Sequence, residues 1–294
     1  MKDKIDSLGA ISLISFSGLL GINQVLIKLS NNGIDPIFSA GARSLLALPF
    51  LGLWMLLATK PIQLTRNTVI LGLSAGIIFA VEFFFLYLAL DHTTVVRSSI
   101  IFYSMPVWLS IMSHFWFAND KLTNLKLLGL ILSLIGIAWA MISNTNSEMN
   151  GYIKGDLLAL AASILWALIA LISKGTNFRY LNPETQLFWM LVVSFPILFA
   201  FSMTSEMIIR DFKSYHILIL IFQSSVVVAA GFGLWFWLLS VYPASSVASF
   251  AFLAPIFGII FGSLFLGEQL NSDFLIGAIL VILGIFFINY NKAK

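Results

Sequence analysis

Ten apolar runs, each of about 20 residues or more, the length that crosses the hydrocarbon core of a bilayer, leave this 294-residue chain almost nothing else to fold with. Bounded by polar residues, proline or glycine, they fall at 8–29, 36–58, 68–90, 95–117, 124–143, 155–174, 183–204, 214–240, 245–266 and 271–290. A water-soluble core cannot absorb them: 60% of the residues are hydrophobic and 10% charged, against about 25% charged in a soluble domain. The longest connections, near 144–154 and 205–213, are too short to fold alone. The expected class is an all-α membrane protein of ten transmembrane helices, with the lipid bilayer as its main solvent.

The few charges say more about orientation than about partners. A net charge of +3, scattered along the chain, offers no basic stripe to follow phosphates, so no nucleic-acid partner is expected. With no cysteine, disulfides, thiolate chemistry and cysteine metal sites are excluded together. Met1 to Ser7 is short and mixed in charge, and the apolar run from Leu8 outlasts a signal-peptide core, so it is read as a retained first helix. Placing the N-terminus in the cytoplasm puts Lys2, Lys4, Lys60, Arg66, Lys121, Lys126, Lys174, Arg179, Lys292 and Lys294 inside. Lys28, Arg97, Lys154, Arg210 and Lys213 then fall outside. Ten against five follows the positive-inside rule and sets the expectation of an inner (plasma) membrane protein with both termini cytoplasmic.

Shifting the chain by 146 to 149 residues superposes its two halves. Gly9 falls on Gly155, Lys28 on Lys174, Pro36 and Pro49 on Pro183 and Pro196, Pro106 on Pro255, and Gly129 and Gly136 on Gly277 and Gly284. The two repeats are expected at 1–146 and 150–294. Five spans is an odd number, so the second half enters the membrane in the opposite sense. Inverted repeats of this kind typically carry a substrate site near the midplane between the halves.

The residues after each third span carry a family resemblance. The first half reads YLALDHTTVVRSSIIFYSMPVWLSIMSHFWFANDKLT and the second FWLLSVYPASSVASFAFLAPIFGIIFGSLFLGEQLN. This resembles the drug/metabolite transporter superfamily, in its ten-helix EamA-type members, over nearly the whole chain. The family pattern is a helix ending in an Ala-Leu-like pair, a small-residue turn, a helix with central proline, and a Gly-Glu step before the next helix. Gly267-Glu268 matches that step, whereas the first half reads Ala118-Asn119-Asp120, one residue longer. The resemblance implies a transporter and leaves the substrate open among amino acids, nucleosides, polyamines, sugars and lipophilic cations.

Arg43 and Glu82 are ionisable residues well inside predicted spans, where an uncompensated charge costs about 2.5–3.5 kcal/mol even on the gentler insertion scale. Each lies seven or eight residues from the outer end of its helix, at similar depth in antiparallel neighbours, so an Arg43–Glu82 pair facing the central cavity is expected. A structural ion pair, a substrate-carboxylate site and proton coupling all stay open for it. Their repeat equivalents are Met190 and Gly231, which confines the charges to one half. Asn23 and Gln24, just after Gly18 and Gly21, are polar candidates for substrate contact, with an interhelical hydrogen bond as the alternative. Among the aromatic residues, the repeat-matched Phe83 with Phe232 and Tyr87 with Phe236, together with Tyr103 and Trp235, are cavity candidates. Rings there can stack on a substrate or hold an organic cation. Pro106 and Pro255 each free a backbone carbonyl within a span and are expected as matched hinges. The glycine pairs of helices 5 and 10 suggest tight packing or the seam of a homodimer.

Competing classes lack their chemistry in the sequence. No nucleophile with its base, metal cluster or ATP-binding motif is visible, and His92, His114 and His216 lie far apart; no enzyme activity or cofactor is expected. A channel would need a selectivity loop or a ring of charges. The expected function is secondary-active or facilitative transport of a small polar metabolite by alternating access, an amino acid or related zwitterion first and an aromatic or quaternary-ammonium compound second.

Overall fold

The computed structural model describes residues 2, 4–62, 66–93, 95–118, 120–142, 153–266 and 272–290. Ten helical spans follow one another with no strand among these residues. The first half contains α1 (Ser7–Gly33), α2 (Pro36–Leu57), α3 (Arg66–His92), a fourth span broken into α4 (Val95–Phe102) and α5 (Met105–Trp116), and α6 (Asn124–Ile142). The second contains α7 (Ile153–Gly175), α8 (Pro183–Ser202), an eighth span made of α9 (Ser214–Phe222) and α10 (Gly233–Val241), a ninth of α11 (Ala244–Ser249) and α12 (Ala254–Leu266), and α13 (Ser272–Asn289). Six helical stretches are individually long and apolar enough to cross a membrane.

Local sequence explains where these helices start and break. Asp6 and Asp35 cap α1 and α2 by accepting from the amides of Gly9 and Phe38 at 2.9 and 2.8 Å, and Pro36 and Pro183 take the first helical turn, where proline loses no bond. Pro106 and Pro255 each stand one residue into α5 and α12. Their missing N–H groups interrupt both spans at repeat-equivalent points, in the ninth through a 3-10 turn at Phe250–Leu253. The eighth span differs from its counterpart α3: Gln223–Phe232 is wound as a π-helix, a widening frequently found at functional sites.

The surface inverts the soluble rule, as a lipid solvent requires. Leu53, Leu56, Leu57, Ile77, Phe115 and Phe286 are exposed, while Asn23, Gln24, Arg43, Glu82, Gln186 and Gln223 are buried. The packing respects the repeat. α2 packs on α8 and α6 on α13, each against its own counterpart. α1 packs on α12 as α7 does on α4 and α5, and α3 packs on α7 as the eighth span does on α1. At the α6–α13 seam, a Cβ on Gly129 would sit 2.6 Å from the Gly284 carbonyl oxygen, and one on Gly136 2.7 Å from that of Gly277. The matched glycines therefore interlock within one chain. A homodimer at helices 5 and 10 would have to use their outer faces, where Ile131, Trp139, Ile279 and Ile282 are exposed.

Candidate functional site

Between the halves lies a closed cavity with walls from both. Leu20, Asn23 and Gln24 of α1, Glu82 and Phe83 of α3, and Phe102, Tyr103, Trp166 and Phe232 line it. Aromatic contacts make its frame continuous: Phe83 meets its repeat equivalent Phe232 at 5.9 Å between ring centroids, Phe102 stacks on Trp166 at 5.0 Å, and Trp166 leans on Trp235 at 5.6 Å. Phe16 stacks on Trp235 at 5.2 Å. The space a water-sized sphere can reach inside is about 10 Å³, about the room one water needs. This conformation is closed around its polar groups.

Those groups are mostly without partners. Two hydrogen bonds tie the frame: Gln223 Nε2 donates to Asn23 Oδ1 at 3.0 Å, joining α1 to the π-helical turn, and Tyr103 Oη donates to the Leu20 carbonyl at 2.9 Å. Both polar atoms of the Gln24 amide, Glu82 Oε2, Tyr87 Oη, Gln223 Oε1, Trp235 Nε1 and all three guanidinium nitrogens of Arg43 are buried without a hydrogen-bond partner. Native interiors leave few polar groups in that condition, and each one asks for an explanation.

The expected Arg43–Glu82 ion pair is not formed. Glu82 and Phe83 are consecutive on α3, about 100° apart around the helix. Phe83 takes the place facing α2, so the Arg43 guanidinium stacks on its ring at 3.9 Å from the centroid, with the Tyr87 ring at 5.4 Å. Glu82 turns into the cavity instead. The cation thus lies on an aromatic face and the Glu82 side chain in the cavity, without a direct bond between them.

Of the other sequence candidates, Asn23, Gln24, Phe83, Tyr103 and Phe232 line the cavity, Tyr87 backs it beside Arg43, and Trp235 backs it through Trp166. Phe236 lies elsewhere, in a separate recess with Lys174, Arg179 and Gln186. Phe16, Trp166 and Gln223 were not among the candidates. Gln223 carries the same signal as Gln24, an amide inside an apolar run; the two rings carry none, since aromatic residues are common in any span. Asp120, in the loop that replaces the Gly-Glu step, accepts from Ser245 N at 3.0 Å and from Ser245 Oγ, and pairs with Lys126. Burial raises its pKa, and the Lys126 charge and the Ser245 bonds outweigh that to leave it lowered. It anchors the start of α11. Its counterpart step Gly267-Glu268, and Asn119, lie outside the described residues.

An α-helical protein with ten membrane spans in two matched sets, closed around buried polar groups, is the architecture of a membrane transporter. The EamA-like transporter family model matches twice, over residues 7–142 and 153–290, and the chain belongs to that family. Its curated relatives include an uncharacterized transporter, YoaV, of Bacillus subtilis, 23% identical over 289 residues covering 97% of both chains. Another is named a probable amino-acid metabolite efflux pump of Escherichia coli, 24% identical over 277 residues covering 90% of this chain and 89% of that one. A solved crystal structure superposes with a TM-score of 0.79 at 14% identity, over 96% of this chain and 97% of that one, which supports the fold.

Proposed function

We propose that this transporter carries an α-amino acid or a similar zwitterion, bound between the two halves and released by alternating access. The observation that carries the reading is the unformed pair: Arg43, stacked on Phe83, has unpartnered donors, and Glu82, the residue before Phe83, has an unpartnered acceptor in the cavity. A substrate carboxylate and ammonium would satisfy both at once, and Gln24 and Tyr87 offer further polar atoms. The aromatic frame would take the rest of the molecule. The name of the E. coli relative points to the same substrate class. Transport of a quaternary-ammonium compound is the weaker reading, because the Arg43 charge lies against the Phe83 face that would have to hold the cation.

No nucleotide-binding motif is present in the sequence, so a gradient drives the cycle, with Glu82 as the group that would carry a coupled proton. Pro106 and Pro255 serve as the flexing points of the fourth and ninth spans. The protein sits in the inner membrane with both termini cytoplasmic, as the distribution of basic residues supports. Solute counterflow in proteoliposomes tests the reading, using labelled amino acids beside nucleosides, polyamines and quaternary amines, with and without a pH gradient. Saturable amino-acid counterflow that Glu82→Gln abolishes is expected. Counterflow of quaternary amines alone, insensitive to Arg43→Met, would overturn it.

A further inference from the structure

The repeat places the same polar construction at both ends of the molecule. On the face reached by the ends of α1 and α3, Lys28 Nζ donates to the carbonyls of Leu90 in the last turn of α3, at 2.6 Å, and of Thr93 just beyond it, at 3.2 Å. Thr93 Oγ1 then donates to Asp156 Oδ1 at 3.1 Å, at the start of α7. On the opposite face, Lys174 at the end of α7 donates to the carbonyls of Leu239, at 2.9 Å, and Tyr242. Tyr242 Oη donates to Asp6 Oδ1 at the start of α1. Lys28 corresponds to Lys174, Leu90 to Leu239 and Thr93 to Tyr242 by the repeat offset. Gly155 and Gly9 bring the helix starts in close: a Cβ on either would lie 2.7 Å from Thr93 Cβ or from the Tyr242 ring.

Capping a helix C-terminus with a lysine is common, and alone it would be packing. Three features together go further. Each construction joins both halves, through Asp156 in one case and Asp6 in the other. The two stand on opposite faces of the bundle, because α1 and α7 cross in opposite senses. Both are closed while the central cavity has room for about one water.

We propose that the Lys28–Thr93–Asp156 and Lys174–Tyr242–Asp6 constructions are the two gates of the transport cycle, each holding the halves together at one face of the bundle, with the lysine fixing the group that bonds across. Opening one face would break the bond between halves there, Thr93 to Asp156 or Tyr242 to Asp6, and free the lysine that fixes it while the other face stays closed, so that the halves exchange conformations without a through-channel. This rests on the alternating-access reading above.

The cysteine-free sequence allows a test without background. Single cysteines replace the repeat-equivalent buried residues Ser98 in α4 and Val247 in α11, and a membrane-impermeant thiol reagent is applied from each side in turn. Loss of a charge-assisted bond shifts a two-state equilibrium by about tenfold or more. Lys28→Met is expected to raise labelling of the Ser98→Cys reporter from the Thr93 face by about tenfold and to lower labelling of the Val247→Cys reporter from the Asp6 face. Lys174→Met is expected to do the reverse, and Lys28→Arg to restore the parent pattern. If neither variant redistributes labelling between the faces, or both raise it on both faces alike, in protein that still performs counterflow, the latches are caps only and the carrier reading stands. Opposite redistribution in protein that carries no tested solute would keep the gates and remove the substrate assignment.

Discussion

At the ends of the spans the two halves are built alike, with Lys28 and Lys174 on equivalent carbonyls; at the midplane they part. The first half places Glu82 and Phe83 in the cavity wall with Arg43 and Tyr87 against Phe83, where the second half has Gly231, Phe232, Met190 and Phe236 at the equivalent positions. α3 is a regular helix there and the eighth span is π-helical. On the proposed alternating-access reading, duplicated positions would hold geometry that both directions of movement need, and unduplicated positions the chemistry that one substrate needs. A substrate with two unlike ends has no use for a twofold-symmetric site.

The largest expected effect is on transport. Arg43→Met and Glu82→Gln should each lower counterflow about 30-fold or more, as expected when one buried charged contact is deleted, with folded protein recovered in both cases. The repeat-equivalent change Met190→Ala should lower counterflow far less and melting temperature more, since Met190 is fully buried and leaves a cavity worth about 2–5 kcal/mol. Equal losses of transport at positions 43 and 190 would erase the distinction between the halves.

Moving the charge should fail. Met190→Arg adds a guanidinium to a half whose position equivalent to Glu82 is Gly231, so that no counterpart carboxylate is there to receive it. An unpaired buried charge is expected to cost about 3–5 kcal/mol, read as a fall in melting temperature in detergent. An unchanged melting temperature would mean that the second half can accommodate a cation after all.

Much of the frame was legible because membrane insertion reduces folding to few variables. Span number follows from run length, the breaks at Pro106 and Pro255 from the missing N–H, and the pairing of α6 with α13 from glycines spaced to let backbones touch. What the sequence hid depends on rotation about a helix axis. The expected Arg43–Glu82 pair failed because which of Glu82 and Phe83 faces α2 is decided by packing that no periodicity reports, since α3 is apolar nearly all round. For the same reason Phe236, matched to Tyr87 in sequence, ended in another recess.

Glycine substitutions sharpen the comparison at a smaller scale. A Cβ at Gly155 would meet Thr93 N at 2.9 Å and the His92 carbonyl carbon at 3.0 Å as well as the Thr93 side chain, whereas at Gly9 the nearest atoms all belong to the Tyr242 ring. Backbone cannot step aside as a ring can. Gly155→Ala is therefore expected to destabilise by about 1–3 kcal/mol and Gly9→Ala by less, measured as a difference in melting temperature between the two variants. A reversed order would mean that Tyr242 is held more rigidly than the end of α3.

The smallest effect concerns the loop where the family's Gly-Glu step is replaced. Asp120 has a lowered pKa through Lys126 and Ser245, so it binds its proton less readily folded than unfolded. Its contribution is fully present above the unfolded value, about 3.9, and is lost as pH falls through the folded value below it. Melting temperature should accordingly decline on acidification from pH 5 toward pH 3 (~5 to ~3 on this scale), and Asp120→Asn should flatten that part of the decline while lowering stability at neutral pH by about 1.5–3 kcal/mol, the worth of hydrogen bonds to a charged group. An unaltered acid limb in the variant would assign the pH dependence to the other carboxylates, of which Asp6 is also held low, by Lys2 and then by Tyr242. In that case the anchor at α11 would be steric, resting on the Ser245 turn and not on the charge that the substituted step retains.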